Sequence, residues 1–192
     1  MKLKYYIFIL MLAMISSCKS EIDEFDANKG SADFSVMLSV GNSLTAGFAD
    51  GALYTSGQEN AYPNILANQF KTVGGGDFKQ PMMNTELGVG IGGTGLSPLF
   101  NTKYVLGYTT DCLQETSLGP VLADPDASQQ ELYAQLTTSV AAQGPYNNIG
   151  VVGARSVDLL FGGYGQLNPY YGRFAANPQT DTVIAEARKI PF

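Results

Sequence analysis

The chain contains no histidine. That removes the usual general base for a serine or cysteine nucleophile and the commonest side-chain ligand for zinc. Cysteine is nearly as scarce: only Cys18 and Cys112 occur, so no Cys/His set can hold a metal in the usual zinc manner. Basic residues are few as well. Eleven Lys and Arg stand against seventeen Asp and Glu, a net charge of −6, with no basic cluster, which argues against a nucleic-acid partner. Long apolar runs are also missing. The longest, Tyr5 to Ile15, is too short for a hydrocarbon core, which needs ~20 apolar residues. Nothing in these absences implies a cofactor.

What is present at the amino terminus has the form of an export signal. Lys2 and Lys4 supply a positive start, the apolar run follows, and Ile15-Ser-Ser-Cys18 closes it with small residues. Cys18 at that point resembles a bacterial lipobox, which implies cleavage before Cys18 and acylation of it. Several acyl chains on one residue hold a protein at a bilayer far better than one. The alternative is a signal anchor that happens to hold a cysteine. Residues 18–32 are acidic and small, unable to bury a core, and read as a tether. This stretch is similar to the acidic segment behind the lipidated cysteine in surface lipoproteins of the Bacteroidetes type; a plain solvated linker explains it equally well. Without residues 1–17, about 175 residues remain, which suits one domain over 33–192. Cys112 is then left alone, and a solitary thiol is expected to be buried.

Along that domain, Phe34 to Val40 reads as a strand, and residues 44–48 start a short helix limited by Gly47 and Gly51. The pattern predicts a helix from about Tyr62 to Lys71, with Pro63 in its first turn and Tyr62, Ile65, Leu66 and Phe70 on one face. Gly74-Gly-Gly76 ends it. Residues 72–145 form a long stretch rich in Gly, Pro, Thr and Asn, expected to be an elaborate insertion with one weak helix at 128–140. Gly88-Val-Gly-Ile-Gly-Gly93 matches a dinucleotide fingerprint, but it lacks a preceding strand, and Pro98 blocks a following helix. A turned loop is the expected reading. Tyr146 to Gly153 is a second strand. Residues 154–161 read as a helix with Val157, Leu160 and Phe161 inward, and 162–171 as a loop whose tyrosines either stack on a sugar or pack on their own domain. A last helix spans about 180–189, with Val183, Ile184 and Ala187 inward.

The strand before Ser39-Val-Gly-Asn-Ser43 ends in a turn that presents Ser43 as a helix begins, the setting of a serine nucleophile. Gly41-Asn-Ser-Leu44 resembles the Gly-Asp-Ser-Leu block of the SGNH (GDSL-type) esterases and acylhydrolases. Asn148-Ile-Gly-Val-Val-Gly-Ala-Arg-Ser156 resembles their second block, and Ala61-Tyr-Pro63 their aromatic-proline helix. The resemblance covers residues 34–71 and 146–161. It implies a flavodoxin-like α/β three-layer fold with a mostly parallel sheet. It also implies Ser43 as nucleophile, Gly153 as an oxyanion donor beside the amide of Ser43, and Asn42 and Asn148 on the substrate side. The substrate class it implies is an ester, either an acyl lipid or an acylated sugar, with membrane attachment through Cys18. Asn42 stands where the family carries aspartate, and the same position alternatively serves to cap a helix.

Two later blocks of that family, Gly-x-Asn-Asp and Asp-x-x-His, do not occur here. The only Ser-x-x-Lys lies at Ser16–Lys19, at the signal cleavage site, and although Asp50 and Asp158 lie near the two blocks, a carboxylate is a weak base for an alcohol. The sequence is therefore expected to be the amino-terminal part of a longer hydrolase, and a feeble catalyst by itself. The rival expectation is a surface lipoprotein that binds glycans or a protein partner without chemistry. A decayed reading frame is the third.

Overall fold

The computed structural model describes residues 26–92 and 99–191. The expected signal and Cys18 lie outside them, and residues 26–32 of the tether are exposed. The described residues are mixed α/β, with one small parallel and two small antiparallel sheets. The parallel one joins β1 (Ser39–Gly41) to β6 (Asn148–Gly150), in the register Ser39 with Asn148, Val40 with Ile149, and Gly41 with Gly150. The ladder is closed by Ser39 N–H donating to Asn147 O (2.8 Å) and Val151 N–H to Gly41 O (2.9 Å).

Strand alternation sets what lies on each face of this pair. Val40, Ile149 and Val151 point into a core built with Tyr146, Tyr164, Tyr171, Phe174 and Val183. Asn148, Gly41 and Gly150 point the other way, against α1 (Ser43–Ala46). A second core cluster, which includes Ala46, Leu53, Met83, Val89, Leu136 and Tyr170, continues on that side. The parallel pair thus sits between α1 and the carboxyl-terminal turns.

After α1 and α2 (Thr55–Glu59) comes α3, Tyr62–Lys71, with Pro63 in its first turn. Its bounds match the periodicity, but its rotation does not. Pro63 and Ala67 are buried, whereas Tyr62, Ile65 and Leu66 are exposed and Phe70 stacks on Phe34 at 4.4 Å. The chain leaves α3 through Gly74 (φ +87), with Gly75 N–H on Phe70 O.

Residues 72–145 carry more order than their composition suggests. β2 (Gly90–Gly92) pairs antiparallel with β3 (Leu99–Asn101), so the glycine motif enters a strand and not a phosphate-binding turn before a helix. β4 (Tyr104–Thr110) and β5 (Thr116–Leu122) form a hairpin exposed on both faces, with Cys112 at its tip. Cys112 is exposed, contrary to the expected buried thiol, because among the described residues no layer covers the tip of the two-stranded hairpin. The weak helix is real: α4, Gln129–Thr137, is capped by Ser128, which accepts from Glu131 N–H.

The last third differs most from its reading. Residues 154–161 form only a 3₁₀ turn, Ser156–Leu160, and Val157, Leu160 and Phe161 lie exposed instead of inward. The expected loop holds α5 (Tyr164–Leu167) and α6 (Pro169–Gly172), whose Tyr164, Tyr170 and Tyr171 are buried. These rings pack on their own domain; Tyr171 meets Tyr164 and Phe174 at 6.0 and 5.4 Å, so they are not a sugar platform. α7 is shorter than the pattern, Val183–Ala187, with Val183 and Ala187 inward as expected and Ile184 half-buried.

Candidate functional site

Parallel pairing has one consequence for the site. Gly41 and Gly150 are neighbours, so the turn that carries Ser43 and the turn that carries Gly153 leave the same, carboxyl end of adjacent strands. Open α/β sheets bind ligands at that end. Ser43 opens α1 and is half-buried; its carbonyl accepts from Phe48 N–H at 2.9 Å as α1 ends at Gly47 (φ +84). Asn42 precedes it, exposed, and its side chain does not cap α1.

Gly153 is exposed and adopts φ +78, a conformation that side chains resist. Space is not the constraint, since a Cβ there would meet nothing nearer than Asn168 Nδ2 at 4.0 Å. Backbone hand is. Asn168 fixes this turn from below: its Nδ2 donates to Val152 O (2.8 Å) while its Oδ1 accepts from the amides of Tyr170 and Tyr171. Its place just before Pro169, at a helix start, is the signal that identifies it as a cap.

Asn148 departs from its expected part on the substrate side. It is 2 % exposed, with Nδ2 donating to Thr45 O and Gln80 Oε1 (both 2.8 Å) and Oδ1 accepting from Gly150 N–H. Its side chain therefore holds α1 against β6 and has no face toward a ligand. Thr45 Oγ1 and Tyr62 Oη, 3.0 Å apart, tie the same helix to α3.

The two carboxylates nearest the blocks are both engaged. Asp50 accepts from Tyr54 Oη at 2.5 Å, and that bond, with burial, lifts the Tyr54 hydroxyl to about 12. Asp158 accepts from Arg155 through the side-chain Nε and Nη2 and through the backbone amide; these bonds hold its carboxyl below the usual range. A carboxylate of lowered pKa is a still weaker base. Asp158, but not Asp50, borders a cleft of about 700 Å³ lined also by Gly153, Arg155, Val157, Leu160, Phe161, Tyr164 and Leu167. Leu160 and Leu167 are more than two-thirds exposed and give it an apolar side, next to the Arg155–Asp158 ion pair. Gly153 also borders a second cleft, of about 250 Å³, with Phe48, Ile91 and Tyr170.

Among the described residues, no helix is long and apolar enough to cross a membrane. No protein-family model, no curated protein and no solved structure matches the chain.

Proposed function

We propose that this chain is an exported, lipid-anchored serine ester hydrolase of the SGNH type, built on a flavodoxin-like α/β arrangement. The observation that carries the reading is the parallel pairing of β1 with β6, with Ser43 and Gly153 following their carboxyl ends. In the proposed step the Ser43 hydroxyl adds to the ester carbonyl carbon, and the alcohol then leaves to give an acyl-serine. The amides of Ser43 and Gly153 would donate to the oxyanion formed in between; fixed donors of that kind lower the barrier as charge develops. The apolar cleft at Gly153 suits the acyl part of an acyl lipid or an acylated sugar, and Cys18 is the proposed membrane attachment. No cofactor enters the scheme.

The reading names no base. The sequence has no histidine, and Asp50 and Asp158 are occupied by Tyr54 and Arg155. Without a positioned base the hydroxyl forgoes ~10²–10⁴-fold in rate, so this chain by itself is expected to turn over slowly. The same observation favours a second reading, a surface lipoprotein that binds glycans or a protein partner without chemistry.

A fluorophosphonate probe separates the two, applied to the folded chain. The hydrolase reading expects labelling that Ser43→Ala abolishes. Folded protein that takes no label overturns it in favour of the binding lipoprotein.

A further inference from the structure

The β4–β5 hairpin is closed by Ala123 N–H donating to Lys103 O (2.9 Å) and Asp111 N–H donating to Glu115 O (3.1 Å). These two bonds fix the alternation of the antiparallel ladder. Odd-numbered residues of β4 bond to β5, so the amides and carbonyls of Leu106, Tyr108 and Thr110 point outward along the free edge. Among the described residues, the backbone on that edge is met only at its first residue, where Tyr104 N–H donates to Asp50 O at 2.7 Å. The side chains of β4 are exposed as well, apart from the half-buried Gly107. A two-stranded hairpin is marginal in water, and added strands stabilise it.

The two edges of the hairpin are not equivalent. Pro120 is the register partner of Leu106, so it faces outward on the β5 edge, where it has no N–H to give. A proline there blocks the pairing of another strand. The β4 edge has no such guard: Tyr104 to Thr110 contains neither a proline nor a charge. With one edge open and the other blocked, the sheet can grow once through a two-fold axis and then closes.

We propose that β4 pairs antiparallel with β4 of a second copy, giving a four-stranded sheet about a two-fold axis at Gly107. This register overlaps the whole of β4 and sets outward groups against outward groups. On each side of the axis Leu106 and Tyr108 of opposite copies exchange hydrogen bonds. Their side chains, 74 % and 76 % exposed in the single chain, become an aliphatic–aromatic cross-strand pair. At the axis the two Gly107 residues face each other where antiparallel strands come closest, ~4.5 Å between Cα atoms, and no side chain intervenes. Just past the ladder, Lys103 falls opposite Asp111 of the second copy. Asp111 makes no ion pair among the described residues, so the strand ends carry complementary charge. The pairing uses neither Ser43 nor Gly153, so it stands whether or not the ester-hydrolase reading does.

Sedimentation equilibrium of the full chain in detergent tests it, with a dimer expected at ~10 μM. Leu106→Pro takes one outward N–H from each copy and should weaken the dimer ~25-fold, the worth of two hydrogen bonds. Tyr108→Lys keeps the test open should the proline disturb the hairpin, since a lysine on an edge opposes pairing. Leu118→Lys alters the same face on the inner strand and should leave the dimer as it is. A chain that is monomeric at ~100 μM leaves the edge to some other occupant and overturns the proposal. So does a dimer that survives both β4 variants. A dimer lost through Leu118→Lys would mean that the apolar face, and not the edge, joins the copies, and it overturns the proposal too.

Discussion

Gly41 and Gly150 are register partners in the β1–β6 pair, and both lie directly against α1. A Cβ on Gly41 would strike Thr45 Oγ1, and one on Gly150 would sit 2.6 Å from Ala46 Cα. The absence of side chains at both positions lets the Ser43 helix settle onto the strands. Gly150→Ala is expected to destabilise the fold by about 1–3 kcal/mol, the usual cost of overpacking. The thermal midpoint should fall by several degrees. A midpoint equal to that of the parent chain would show that α1 does not sit this close.

Tyr54 and Asp50 form the second test. The bond to Asp50 and burial raise the Tyr54 hydroxyl from 10.0 to about 12. A group whose folded pKa is raised stabilises fully below its unfolded value and loses that contribution as pH climbs through the folded value. The stability gap between the parent chain and Tyr54→Phe should be constant up to about pH 10 and then close toward pH 12. Denaturant unfolding at stepped pH measures it; a gap that grows with alkali would contradict the assignment.

Asp158 behaves in the opposite sense. Its bonds to Arg155 lower its carboxyl from 3.8, so its contribution is present above that value and fades as pH falls below it. Asp158→Asn should be less stable than the parent at neutral pH, and the two should converge in acid. Because the variant also releases Arg155 at the rim of the apolar cleft, a probe with a long acyl group is the appropriate second readout.

Cys112 gives the simplest check of the β4–β5 hairpin. Exposed at the tip, it should react with a thiol reagent in the native protein as fast as in denaturant, and in a Cys18→Ser background Cys112→Ser should remove that reaction. Slow native labelling would mean that the tip is covered.

Parts of this arrangement were legible in the order of residues. Pro63 in its first turn and Gly74–Gly76 just past its end bracket α3, because caps and breakers act locally. Ser128 marks α4 in the same way. The hairpin was not legible although Tyr104, Leu106 and Tyr108 alternate, because Gly107 and Gly119 interrupt both strands and no core face marks them. Arg173 belongs to the part that was not legible, because nothing local says that it reaches Pro81 and Met82, roughly ninety residues earlier.

The sequence alone determined the histidine-free chemistry, the acidic balance, the limits of α3 and the two strand-to-turn segments that end near Ser43 and Gly153. Each of these follows from composition or from neighbours within a turn or two. Tertiary structure decided which faces are covered. It exposed Val157, Leu160 and Phe161, buried the tyrosines of α5 and α6, and turned Asn148 from a candidate ligand contact into the tie between β6 and α1. Burial and hydrogen-bond partners depend on segments far apart in the chain, and periodicity within one segment carries no record of what packs against it.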